Sequence, residues 1–305
     1  MKKIIFYLLA VTILPLAGMY SYAGTAGAAF LKIGTSARAV GMGSAYTAVS
    51  GDVSSIHYNP AGTASITARQ ASAMHTQWFC DITHDAASIV LPADWGNIGA
   101  GLIRLTQGTL EGRDDNRELT DPFSAGDTAA FINYSAKLTP SVHSGMNIKY
   151  VKEEIAQYSA SGIAFDAGVL YTPENELYAL GLSVLNAGQR MKFISEEFSM
   201  PLTISGGLSF NPAKKILLTG DIKHQPGIIT DFCLGVEYSV FDALQLRAGC
   251  VINPLSGSKT YYSQSLISSA SAGIGFKFFG NRLDYAFTPD DILGSTHRFS
   301  FSLDF

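Results

Sequence analysis

Beyond about residue 68 the chain alternates apolar and polar side chains with a period of two, in segments of about ten residues. The last segment is the clearest. Phe299, Phe301, Leu303 and Phe305 fall on one face, and Arg298, Ser300, Ser302 and Asp304 on the other. The same period sets Met146, Ile148 and Tyr150 against Asn147 and Lys149, and Leu283, Tyr285 and Phe287 against Arg282 and Asp284. Segments of this length cross a bilayer as tilted strands. A strand in lipid must pair every backbone group with a neighbour, so a sheet that spans a membrane has to close on itself.

A soluble sandwich also alternates, and composition decides against it. Of the 305 residues 47% are hydrophobic and 15% charged, where soluble domains carry about 25% charge. The one long apolar run, Ile4 to Tyr20, lies at the extreme N-terminus, so spanning helices are excluded. Lys+Arg number 21 against 25 Asp+Glu, which leaves no basic excess to neutralise phosphates and no nucleic-acid partner. Lys2 and Lys3, the apolar run that follows and Ser21-Tyr22-Ala23 read as a signal peptide, residues 1–23, cleaved after Ala23. The sequence therefore predicts an all-β membrane protein of the bacterial outer membrane, in contact with its lipid. Its barrel spans residues 68–305 and has about 14 antiparallel strands.

The predicted strands cover 68–78, 84–93, 97–111, 125–138, 143–158, 162–172, 177–191, 201–211, 216–225, 231–240, 244–252, 268–279, 281–288 and 296–305. Links from even to odd strands are tight, as at Phe241-Asp242-Ala243 and Gly280-Asn281. Links from odd to even strands tend to be longer, as at 112–124, 187–200, 253–267 and 288–295. Short turns belong to the periplasmic end of such barrels and long loops to the outer end. Phe305 as the last outward side chain fits the signal read by outer-membrane insertion machinery.

Cys233 and Cys250 lie on neighbouring strands, but a register that sets Tyr238 opposite Leu246 and Glu237 opposite Arg247 places them on opposite faces, against a disulfide. Cys80 is then a third thiol. The six His show no metal-ligand spacing, and no cofactor is implied. His75, Asp81, His84 and Asp85 cluster near the first loop and read as polar loop residues rather than a catalytic group. No enzyme is expected.

Residues 24–67 break the pattern. They hold Ser36-Ala37-Arg38-Ala39-Val40-Gly41-Met42-Gly43-Ser44-Ala45, then Gly51-Asp52, then Ile56-His57-Tyr58-Asn59-Pro60-Ala61-Gly62. Gly41-Met42-Gly43 is no phosphate loop, because no strand precedes it and no Lys-Ser/Thr follows. Small residues suit a short helical or irregular plug inside a lumen that about 14 strands leave too wide to fill by themselves. The competing reading is an extended periplasmic tail.

The stretch FLKIGTSARAVGMGSAYTAVSGDVSSIHYNPAG resembles the opening of the PorV/PorQ family of outer-membrane proteins, related to the FadL-type channels; Leu293 to Ser300 resembles that family's closing strand. The resemblance implies a barrel with an N-terminal hatch, in which Asn59-Pro60-Ala61 matches the Asn-Pro-Ala turn of the channels. It implies a plug set of Arg38, Gly41, Gly43, Asp52, Asn59 and Pro60, with Arg38 and Asp52 as internal polar contacts. It also implies one of two functions. The first is a type IX secretion or surface-attachment component, with secretion-system proteins or sorting-domain cargo as partners. The second is uptake of a hydrophobic ligand, for which Phe123, Phe193, Tyr261 and Tyr262 could line a pocket.

Overall fold

The computed structural model describes residues 26–78, 82–226, 229–252, 270–289 and 294–305. Its strands are β1 (Gln70–Gln77), β2 (Thr83–Leu91), β3 (Asn97–Arg113), β4 (Leu119–Lys137), β5 (Val142–Ile155), β6 (Tyr158–Tyr171) and β7 (Tyr178–Gly188), a small hairpin of β8 (Met191–Phe193) and β9 (Glu196–Phe198), then β10 (Thr203–Ala213), β11 (Ile216–Gln225), β12 (Ile229–Phe241), β13 (Leu244–Ile252), β14 (Ala270–Phe278), β15 (Asn281–Thr288) and β16 (Thr296–Asp304). All but the hairpin form one closed antiparallel barrel of 14 strands, with β1 paired to β16 from Gln70↔Asp304 to Gln77↔His297.

The alternation maps directly onto the two faces of this wall. In β16, Phe299 and Phe301 point outward and are exposed, while Arg298, Ser300 and Ser302 are buried in the lumen. Outward Leu102, Ile132, Ile148, Ile163, Leu182 and Leu208 belong to the same apolar belt. Lipid favours such side chains and a closed ladder leaves no unpaired edge, so the belt places the barrel in a membrane. The short-turn end, where β10–β11, β12–β13 and β14–β15 turn at 214–215, 242–243 and 279–280, is the periplasmic end, and both Gln70 and Asp304 lie there.

Fourteen strands appear where fourteen were expected, and β11, β13 and β15 match to the residue. The largest departure concerns the predicted loop 112–124. β3 runs to Arg113 and β4 starts at Leu119, so only 114–118 turn. These upper ends stand beyond the apolar belt, where neither face meets lipid and the alternation fades. The outer link between β5 and β6 is likewise a two-residue turn at 156–157. Expected loop 187–200 contains the β8–β9 hairpin, and loop 253–267 lies outside the described residues.

Cys233 pairs with Val251 and Leu234 with Cys250, the register that keeps the two thiols on opposite faces; both are free. Cys80 and the signal peptide lie outside the described residues. His75 and Asp85 hydrogen-bond at 2.6 Å on the outward face, whereas His84 is buried inside, so the histidine–aspartate cluster near the first loop is split by the wall. The facing predicts that, in a Cys80→Ala background, a lipid-soluble maleimide modifies Cys250 in the folded barrel and Cys233 only after unfolding. Equal labelling of the two, read by mass spectrometry, would contradict the register.

Candidate functional site

Residues 28–66 lie inside the lumen as three short 3-10 turns, Ala29–Lys32, Val53–His57 and Pro60–Ser65, and one helical turn, Ala37–Gly41. None is long enough to be stable alone, and three of the four are capped at the N-terminus by a side chain. Ser36 accepts from Ala39 N, Asp52 from Ser54 N, and Asn59 from Ala61 N, with Pro60 at the first position of its turn.

The plug is fixed to the wall by a closed ring of six alternating charges. Arg38 makes a two-point contact with Glu237 of β12, Nε to Oε2 at 2.8 Å and Nη2 to Oε1 at 2.7 Å, and its Nη1 meets Asp52 at 2.7 Å. Asp52 meets Arg282 of β15 at 2.6 Å, Arg282 meets Asp284 at 2.7 Å, and Asp284 meets Arg247 of β13 at 2.8 Å. Arg247 returns to Glu237 at 2.6 Å and closes the ring. Three guanidiniums and three carboxylates balance, which is the condition under which buried charge is tolerated. Burial alone would raise the Asp52 carboxyl, but Arg282 and Arg38 outweigh it and hold it well below the ordinary carboxylate range.

Elsewhere the wall serves the plug backbone. Asp221 of β11 accepts from Tyr46 N at 2.8 Å, Thr47 N at 2.9 Å and Thr47 Oγ1 at 2.7 Å, and Lys223 donates to Ser44 O at 2.6 Å. Asn59 Nδ2 donates to Thr47 O within the plug and to Val169 O of β6. A Cβ on inward Gly168 would overlap Asn59 Oδ1, so the Asn-Pro turn seats on a glycine. Gly41 lies against Gly273, and Gly43, at φ 61°, against the β13 backbone beside Cys250.

Arg38 and Asp52 therefore share one cluster, Asn59 and Pro60 sit against β5 and β6, and Gly41 and Gly43 lie against β12–β14. The N-terminal motif marked the plug's two members of the ring, Arg38 and Asp52. It did not mark Arg282, Asp284, Asp221 or the ring role of Glu237 and Arg247. Their signal was charge at inward positions of strands that are otherwise serine- and glycine-faced there.

Opposite the ring the plug packs on an apolar cluster, flanked by the buried Asn97 and Asn147, which hydrogen-bond its backbone. Phe30, Val53, Ile56 and Ile66 of the plug pack with Met74, Val90, Ile103, Phe131 and Val151 of β1–β5 as one buried cluster. At the outer end this cluster includes Met191 and Met200, beside the β8–β9 hairpin, with Phe193 packed on it. A cavity of about 210 Å³ opens next to it, lined by Leu31, Ile33, Thr47, His57, Tyr58 and Ile103 and by Lys149, Lys223 and Asp231. Phe123 is half-buried in the β3–β4 hairpin opposite Leu110, and Tyr261 and Tyr262 lie outside the described residues. Among the described residues no His/Cys/Asp/Glu group has metal-ligand geometry.

The ring makes two predictions. Arg38→Gln leaves Asp52 and Glu237 short of a cation and destabilises the plugged barrel by roughly 3–5 kcal/mol, partly recovered in Arg38→Gln/Glu237→Gln; denaturant midpoints of the refolded proteins check this. A depressed carboxyl stabilises the fold at all pH values above its unfolded pKa and loses that stabilisation only as pH falls toward its folded pKa. Protease protection of the plug should thus persist at about pH 4 and be lost only in stronger acid.

Residues 21–115 match the profile of an uncharacterised protein family, UPF0164. No curated protein matches the sequence. Among solved structures, the Pseudomonas putida toluene transporter TodX superposes with a TM-score of 0.62 at 14% identity, over 88% of this chain and 96% of that one. CymD, a monoaromatic hydrocarbon channel, gives 0.60 at 12% over 89% and 98%, and a Pseudomonas aeruginosa FadL homologue 0.58 at 12% over 88% and 97%. The PorV/PorQ assignment rests on the sequence resemblance at the two ends of the chain; what the superpositions establish is that this chain has the FadL-like barrel fold of outer-membrane channels.

Proposed function

We propose that the protein is an outer-membrane channel for small hydrophobic molecules. The observation that carries this is the apolar seam between the plug and β1–β5. It runs from Met191 and Met200 at the outer end to Ile66 and Val90 at the periplasmic end. A lumen built to pass water and ions has no use for inward Ile103, Phe131 and Val151; a lumen that passes apolar solutes does. The cavity meets the seam at Ile103 and His57, and at about 210 Å³ it exceeds the roughly 150 Å³ that accepts benzene in a protein interior. The structurally similar TodX and CymD are described as a toluene transporter and a monoaromatic hydrocarbon channel, which supports the same reading. The charge ring holds the plug to β12, β13 and β15, while towards β1–β5 apolar packing is joined by single hydrogen bonds such as Asn147 Nδ2 to Ile56 O and Asn97 Nδ2 to Thr63 O. No catalytic role is proposed.

A secretion or surface-attachment role, with protein partners, is the second reading. It draws on the height of the β3–β4 hairpin, whose exposed polar tip from Glu111 to Asp121 offers a partner surface above the lipid.

In proteoliposomes the protein should speed entry of toluene over empty vesicles, and Ile103→Trp, which obstructs the seam beside the cavity, should reduce that flux several-fold while leaving heat-modifiable mobility intact. Flux equal to that of empty vesicles would defeat the channel reading, and recovery of stoichiometric sorting-domain proteins from native membranes would favour the second.

A further inference from the structure

The closing seam of the barrel contains a buried cation that pairs with no acid among the described residues. Arg298 of β16 and His84 of β2 both lie opposite Thr76 of β1, as Thr76↔Arg298 and Thr76↔His84. All three side chains point into the lumen, with exposures of 7%, 0% and 0%. Arg298 Nη1 donates to the hydroxyls of Thr296 at 2.8 Å and Thr288 at 3.3 Å, both neutral, and its Nε has no partner. Neither ring nitrogen of His84 has a partner, and Thr76 reaches only the Met74 sulfur, at 3.9 Å. Among the described residues no carboxylate pairs with Arg298. Asp85, adjacent in sequence to His84, points to the other side of the wall and is bound to His75.

A guanidinium stays charged at any pH a cell meets, so it cannot escape burial by losing its proton. Buried charges in proteins are compensated, and every other lumen arginine described above has its carboxylate. The two flanking strands stand about 9–10 Å apart across β1. The short Thr76 stands between the two longer side chains, whose orphaned nitrogens, Arg298 Nε and both of His84, are buried on the same side of the wall.

We propose that Arg298, His84 and Thr76 form a binding site for a small anion that neutralises the seam where β1 closes on β16. The shared ligand chemistry is an acceptor of N–H bonds from a guanidinium and an imidazole, with a hydroxyl as third contact. Chloride, a small carboxylate and phosphate all supply it. This site is separate from the channel reading and does not depend on it.

The test is thermal unfolding of the full-length barrel in detergent, followed by gel mobility. The protein is first dialysed into HEPES, whose anion is too bulky for the site, and then titrated with sodium chloride, acetate or phosphate at constant ionic strength. A saturable upward shift of the unfolding midpoint by several degrees is expected with at least one of the three, and the anion that acts identifies the occupant. Arg298→Gln should abolish the saturable shift and unfold no lower than the wild type in HEPES, since the uncompensated charge is gone. His84→Phe, which keeps the cation, should weaken the apparent affinity about tenfold or more. The absence of any shift, or an identical shift in Arg298→Gln, overturns the proposal. If Arg298→Gln does not fold, wild-type affinity in His84→Phe overturns it equally.

Discussion

A wall of fourteen strands encloses more volume than its own inward side chains can fill. Everything else in this structure follows from how that volume is occupied. The chain fills it with its own backbone, folded into turns too short to persist alone, so the wall must supply what a longer helix would supply itself. Asp221 takes two plug N–H groups, Lys223 takes a carbonyl, and small inward residues such as Gly168 let the backbone come close. The ring from Arg38 to Glu237 then ties two separate plug turns to three strands without net charge.

The occupation is unequal around the circumference. Strands β11–β15 hold the plug through charges and directed hydrogen bonds, which are specific in position and costly to break singly. Strands β1–β5 meet it through the apolar cluster, which is non-directional, together with hydrogen bonds at Asn97, Asn133 and Asn147. The plug thus has two chemically different faces, one set in charge and one that adds apolar packing to its hydrogen bonds, and the apolar one borders the cavity at Ile103.

The outward half of the fold was legible because lipid imposes one rule on every outward residue. Leu244–Ile252 and Asn281–Thr288 could be bounded to the residue from alternation alone. The rule fails above the membrane, which is why 112–124 read as a loop although it is mostly hairpin. The inward half obeys no such rule. Arg282 is understood only beside Asp52, 230 positions away in the chain. The motif singled out Arg38, Asp52 and Asn59 because it covers the plug, and it was silent on the wall that receives them.

The plug also has a direction. Gly27 is bonded to Ser199 and Ala28 to Glu153, both near the outer rim, while Arg69 is bonded to Phe305 at the periplasmic end. The polypeptide therefore descends through the lumen before its first wall strand begins. Once β1 is zipped to β16, the barrel is a sewn sleeve around its own leading thread. The thread and the sleeve are held to one another by partners as far apart in the chain as Asp52 and Arg282, so the thread is fully fastened only once the last strands of the sleeve are in place.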